Sequence, residues 1–338
     1  MKLCSALIAL PLLSLPALAG GLDRNQVDSR AKWIAHVDLE AFKSTQLFRE
    51  IQAEDKNGDI ERGLAELART QGVRLFDDVF SVTAYGTSKD GDSAVVLVQA
   101  SAHIDAALQK WQSEAGAKPV KLGERDCIEW GGGHGGGFSW INDAGSERRQ
   151  IVLAKTAAGL QQALEVLERK RTALGADAAV ELALAPTAGS FAFVAVSGIL
   201  DELGNLGRRG PENLSAAARL AKGMRLELGE NAGTLYLDVR LRAEKPEDAL
   251  RLKKVFDGLL ALPGLMQNST ETSEIIDRLV QAISTETLGE TMHMRFQYGA
   301  HAFFDELRRV RAIQQEDQGG ATPEPSPAKK PEPKPEPR

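Results

Sequence analysis

The side chains able to do chemistry in this sequence are scattered, and only a few segments gather them. His134 lies between two glycine triplets in Trp130-Gly131-Gly132-Gly133-His134-Gly135-Gly136-Gly137-Phe138. A glycine run cradles a phosphate when a helix follows it, because the first helical N–H groups then point at the anion. Here the strand-forming segment Phe138 to Asn142 follows, so neither a P-loop nor a dinucleotide site is expected. The expected structure is a hairpin with His134 exposed at its tip; the alternative is a loop that contacts a metal or ligand. Centring the hairpin on His134 would pair Trp130 with Phe138 and Ile128 with Trp140, putting all four on one buried face.

A second segment, Asp55-Lys56-Asn57-Gly58-Asp59 with Glu66 at the twelfth position, resembles the start of an EF-hand loop. Its sixth position is Ile60, where the sharp turn needs glycine, and its eighth is Arg62, where an apolar residue is usual. A polar loop between helices is therefore expected, with Asp55, Asn57, Asp59 and Glu66 as the metal candidates beside His134. His36 and Asp38 alternate on one strand face, a spacing that can seat a metal. No further ligand is near in sequence, so the edge of a core is expected. His293 and His301 flank the start of a strand or helix without the H-E-x-x-H spacing. Neither a G-x-S-x-G elbow nor a C-x-x-C pair occurs. No catalytic residue and no cofactor is assigned.

The elements that must position these residues follow from periodicity. The chain has 338 residues with 43% apolar and 26% charged side chains, enough for two modest α+β domains. Its 41 Lys+Arg against 47 Asp+Glu leave no basic excess, so a nucleic-acid partner is not expected. Residues 1–19 read as an export signal: Lys2, an apolar run from Leu3 to Leu15, then Ala17-Leu18-Ala19 as a cleavage pattern. Cleavage there removes Cys4 and leaves Cys127 as a lone thiol, expected to be an inert core residue. No later apolar run reaches the length of a membrane-spanning helix.

Residues 20–175 are expected to form one sheet-plus-helix domain. It has strands near 33–37, 79–85, 94–99, 118–122, 126–130, 138–142 and 150–154, and a helix with Leu160, Ala163, Leu164 and Leu167 on one face. Residues 186–314 are expected to form a second, mostly antiparallel domain. Its signals are the strand Phe191 to Val196, a helix from Ser215 to Lys222, and alternation in Met224-Leu226-Leu228 and Leu235-Leu237-Val239-Leu241. Three further helices are expected, one opened by Pro246, the others near 275–283 and 303–313. Val96 to Lys110 and Leu237 to Lys253 occupy equivalent places, which suggests a divergent duplication. From about residue 315 periodicity stops, and the Pro/Lys/Glu-rich stretch to Arg338 is expected to be a disordered tail.

This arrangement, with its export signal and opening Trp33-Ile34-Ala35-His36-Val37-Asp38-Leu39, resembles uncharacterised secreted bacterial two-part α+β proteins. The resemblance implies no activity. The expected function is that of a periplasmic or secreted, non-catalytic protein that binds a protein or envelope partner. The alternatives are an unrecognised hydrolase and a metal- or ligand-sensing module using the Gly-His-Gly loop.

Overall fold

The computed structural model describes residues 21–55, 58–114, 116–131, 136–142, 147–175, 178–200, 219–261 and 270–319. The first half runs β1 (Trp33–Asp38), α1 (Leu39–Ser44), α2 (Gln46–Glu54), α3 (Asp59–Gln71), α4 (Leu75–Asp78), β2 (Val79–Gly86), β3 (Val95–Ser101) and α5 (Asp105–Glu114). It continues through β4 (Lys118–Leu122), β5 (Arg125–Trp130), β6 (Gly137–Asn142), β7 (Arg148–Ala154), α6 (Ala157–Leu167) and α7 (Val180–Ala183). The second half holds β8 (Ser190–Ser197), β9 (Ala221–Asn231), β10 (Thr234–Ala243), α8 (Pro246–Ala261), α9 (Thr270–Gln281), β11 (Ile283–Leu288), β12 (Thr291–Gly299) and α10 (Ala300–Gly319).

The strands form one twelve-stranded sheet in the order β11-β12-β10-β9-β8-β1-β2-β3-β7-β6-β5-β4. Every pairing in it is antiparallel, and β1 pairs with β8 to carry the sheet from one half of the chain into the other. Each half begins with a three-strand meander, β1-β2-β3 or β8-β9-β10. A helix then crosses to an outer edge, and the chain returns inward to pair beside the third strand.

The α+β class and its antiparallel sheet are as the sequence implies. One sheet face is mainly apolar in both halves. Val82, Val98, Ile151 and Leu153 pack there beneath α4 and α5, and Leu226, Val239, Leu241 and Met292 pack beneath Ala249, Leu252 and Val255 of α8. The opposite face differs between the halves. Beside β1, β2, β3 and β7 it is a core of Ile34, Tyr85, Leu97 and Val152 covered by Leu160, Ala163 and Leu164 of α6. Beside β9, β10, β12 and β11 it carries charge.

Four sequence expectations are corrected, the first three at element boundaries. Lys222 lies in β9 and not in a helix. Ile283 opens β11 instead of closing a helix, since Ser284-Thr285-Glu286-Thr287 offers little apolar alternation to reveal a strand. The last helix runs on to Gly319, past the point where apolar periodicity stops.

The hairpin at 126–142 forms with a different register: Ile128 faces Ser139, Glu129 faces Phe138 and Trp130 faces Gly137. Ile128 and Trp130 therefore lie on the face opposite to Phe138 and Trp140, and the four do not share one buried face. Trp130 packs edge-on against Trp111 of α5 with ring centroids 5.2 Å apart, while Phe138 and Trp140 pack into the α6 core with Cys127. The reason is steric. A Cβ on Gly137 would lie 2.6 Å from Trp130 Cζ2, so glycine opposite Trp130 gives the indole its space.

Candidate functional site

The charged face is built by strand register. A two-residue turn with positive φ at Ala232 (48°) and Gly233 (77°) closes the β9–β10 hairpin, placing Arg225 opposite Arg240 and Glu227 opposite Asp238. Strand β12 then sets His293 opposite Arg240 and Arg295 opposite Asp238. Strand β11 sets Glu286 opposite His293. Directly opposed residues share a face, so Arg225, Arg240, His293 and Glu286 form one row across four strands. Glu227, Asp238 and Arg295 form the next row. Like charges opposed across strands are unfavourable, and here the neighbouring row supplies carboxylates.

At their β9 end these rows form a buried layer. Arg225 and Glu227 have side chains only 2% and 0% exposed, and Arg225 Nε donates to Glu227 Oε1 at 2.6 Å. The Arg225 guanidinium also donates to the carbonyls of Leu184 at 2.8 Å and Ala185 at 2.7 Å, and stacks 4.7 Å over Phe193. The second Glu227 oxygen accepts the Thr187 N–H at 2.6 Å. A buried ion pair needs such full satisfaction to offset its desolvation. Burial and the Glu227 charge push the Tyr236 hydroxyl up to about 12.

Asp238 accepts from Arg240 Nε at 3.0 Å and lies 2.7 Å from His293 Nε2. Burial alone would raise the Asp238 carboxyl. Hydrogen bonds from His293 and Arg240 outweigh it and hold the group below its ordinary 3.8. His293 Nδ1 lies 3.2 Å from Glu286 Oε1, so each ring nitrogen faces a carboxylate and neither turns a lone pair toward the open cavity. On α7, Glu181 holds Arg242 Nε, and the space it occupies is one that a side chain at Gly223 would fill. Over this layer opens a cavity of about 390 Å³ lined by Arg240, Arg242, Arg295, His293, Glu286 and Leu288, among others.

No protein-family model matches the chain, and no curated protein matches it in sequence. Among solved structures it is similar to TP0453. Crystal form III is 11% identical with a TM-score of 0.41, covering 82% of this chain and 95% of that one. Crystal form IV is 10% identical with a TM-score of 0.42, covering 84% and 96%.

Of the residues singled out from sequence, His293 lies on this face, while Asp55, Asp59, Glu66, His36 and Asp38 are held elsewhere. His134 and Asn57 fall outside the described residues. Asp55 caps α3, accepting the Glu61 N–H at 2.9 Å. Asp59 pairs with Arg62, and Glu66 pairs with Arg69 through Nε at 2.8 Å. The helix thus keeps Asp59 and Glu66 for its own arginines, and among the described residues no cluster of three or more potential ligands could hold a metal.

His36 and Asp38 are brought together. Both are buried, and both line a second cavity of about 660 Å³ with Glu40, Thr45 and Glu230. His36 Nδ1 lies 2.8 Å from Thr83 Oγ1. Asp38 accepts the Ala41 N–H at 2.8 Å as the cap of α1, and burial raises its carboxyl. These roles are structural.

Sequence reasoning missed Arg240, Arg242, Arg295, Asp238, Glu286 and Glu181. A local signal existed for part of the set. Met292, Met294 and Phe296 alternate with His293, Arg295 and Gln297 after the Gly289-Glu290 turn, which marks a half-buried strand.

Proposed function

We propose that this is an exported, non-catalytic binding protein whose partner docks on the charged face formed by β9, β10, β12 and β11. The supporting observation is the layering of that face. Carboxylates are buried beside half-exposed guanidinium groups, in a half of the molecule whose other sheet face is already packed against α8. Buried ion pairs bring a desolvation cost that apolar side chains would avoid, so their presence here favours a role in binding over one in stability. The Asp238–His293 pair is the feature that favours a hydrolase as second reading. The geometry supports it less, because both ring nitrogens of His293 face carboxylates, whereas a general base needs one turned toward the proton it takes.

Export is supported by the signal pattern of residues 1–19, which lie outside the described residues. Among the described residues no helix is long and apolar enough to cross a membrane. A periplasmic or secreted setting, with cleavage after Ala19, is the corresponding proposal. We further infer that residues 20–175 and 186–314 arose by duplication, since both halves run meander, crossing helix, inward return.

A photo-crosslinking residue at Leu288, 66% exposed beside the cavity, tests the docking face in the native host. A discrete adduct is expected from Leu288. None is expected from Leu250 of α8, which is 49% exposed on the other side of the sheet. Equal labelling at both positions, or none at Leu288, would overturn the reading.

A further inference from the structure

We propose that the cavity above Arg240, Arg242 and Arg295 binds a small, multiply charged oxyanion, a phosphoryl group or a pair of adjacent carboxylates. This deepens the reading of the charged face as the binding face and rests on it.

The inference comes from which charges solvent can reach. Arg240, Arg242 and Arg295 are 33%, 30% and 44% exposed, while their carboxylate partners Asp238 and Glu181 are 6% and 4% exposed. The acids are buried and the guanidinium groups are partly exposed, so a ligand entering the cavity meets guanidinium first. The strands also aim these groups. Arg240 and Arg242 are two residues apart on β10, on the same face, and Arg295 is diagonal to Arg240 on β12.

Each guanidinium has donors to spare. A guanidinium carries five N–H donors in a planar fork. Arg240 gives its Nε to Asp238 at 3.0 Å, and Arg242 gives its Nε to Glu181. Arg295 reaches Asp238 only at 3.4 Å, through Nε and one terminal nitrogen. These contacts hold each side chain in place by its stem and leave terminal N–H groups for a ligand. Planar forks fixed this way suit bidentate recognition of carboxylate or phosphate oxygens. About 390 Å³ falls within the range of small-molecule sites, about 300–1,000 Å³. Arg225 serves differently, since its donors go to Glu227 and to carbonyls and it forms the inner wall.

Two carboxylates line the cavity among these cations. Glu181 is 4% exposed and already paired with Arg242. Glu286 is 59% exposed at the rim, tied to His293. Its charge should weaken binding, which gives the proposal a test of sign as well as of loss.

Titration calorimetry on the chain from Gly20 to Arg338, with inorganic phosphate and with citrate against chloride at equal ionic strength, makes the test. Saturable binding is expected for phosphate, citrate or both, and the better of the two identifies the oxyanion class. Arg240→Ala and Arg295→Ala should each weaken it by about tenfold or more, the loss of a charge-assisted hydrogen bond. Arg240→Lys, which keeps the charge without the fork, should fall between. Glu286→Gln should bind more tightly than the parent, and circular dichroism should show each variant folded. Absence of saturable binding by either anion, binding unaffected by Arg240→Ala and Arg295→Ala, or weaker binding in Glu286→Gln would overturn the proposal. A crosslink at Leu288 without oxyanion binding would sink the ligand class and leave the docking face standing; oxyanion binding without a crosslink would do the reverse.

Discussion

The carboxylate of Glu230, near the end of β9, accepts the backbone N–H of Gln46 and that of Leu47, each at 2.8 Å. These are the first residues of α2, whose opening N–H groups have no partner within the helix. Thr45 accepts the Phe48 N–H at 3.0 Å. A strand of one half of the chain thereby caps a helix of the other, with the negative charge at the positive end of the helix dipole. Glu230→Ala should destabilise the protein by about 1–2 kcal/mol, and Glu230→Gln by less, because the amide keeps one acceptor. Urea unfolding measures both; a neutral Glu230→Ala would show that water replaces the cap.

The start of α10 is tied to α2 by an ionic clamp in which His301 Nδ1 lies 2.8 Å from Glu50 Oε1 and Arg308 lies 2.7 Å from Glu50 Oε2. The hydrogen bond to Glu50, followed by the charge of Asp305, raises His301 above its ordinary 6.5. The bonds from His301 and then Gln46 lower Glu50 below its ordinary 4.5. A raised histidine adds stability that is complete below its unfolded value and lost as pH rises through the folded one. A lowered carboxylate adds stability present above its unfolded value and lost as pH falls through the folded one. The clamp is therefore strongest between 4.5 and 6.5. Thermal melts from about pH 6 to 9 should show Tm falling, with a shallower fall in His301→Gln. Identical slopes would remove His301 from the account.

Two glycines should respond in opposite directions to alanine. At Gly137 a new Cβ would meet Trp130 at 2.6 Å and the Ala154 carbonyl at 2.9 Å, so Gly137→Ala should destabilise by about 1–3 kcal/mol. At Gly63, inside α3, a Cβ meets nothing within 4 Å, and Gly63→Ala should stabilise by about 0.5–1 kcal/mol. Chemical denaturation of the two variants side by side gives the sign.

Removing one member of the buried Arg225–Glu227 pair should be severe. Arg225→Met leaves Glu227, fully buried, without its cation and should cost about 3–5 kcal/mol. The double variant Arg225→Met/Glu227→Leu should recover part of that loss. A single variant as unstable as the double would mean that packing, not charge, governs the position.

Cys127 is a free thiol buried between Phe138, Trp140 and the α6 core, and burial pushes the thiol up from its ordinary value. Less thiolate and no access mean slow chemistry. In the native protein at about pH 8 an aromatic disulfide reagent should label it only on the timescale of unfolding, and in urea at once. Rapid native labelling would place the sulfur at the surface.

Local pattern was enough for much of the fold. Alternation in Leu235, Leu237, Val239 and Leu241 makes β10 a half-buried strand because side chains alternate faces every residue. The 3.6-residue spacing of Leu160, Ala163, Leu164 and Leu167 makes α6 an amphipathic helix. Seven first-half strands were legible for the same reason. Composition argued against a nucleic-acid partner, and the cysteine count left Cys127 a lone thiol if the signal is cleaved.

What the pattern could not hold was register and strand order. The hairpin ending at Asn142 was legible, but whether Trp130 faces Phe138 or Gly137 depends on the space an indole needs, and a shift of one residue exchanges faces. Strand β11 escaped notice because its apolar residues are few. The charged face depends on hydrogen-bonded pairing between segments about fifty residues apart, which sets Arg295 beside Asp238 and His293 beside Arg240. No spacing within one segment encodes that. In sequence, Arg240, Arg242 and Arg295 read as ordinary solvated charges on two separate strands. Only the order β9-β10-β12-β11, with α7 packed on its face, buries their counter-ions beside them and leaves their guanidinium groups facing one cavity.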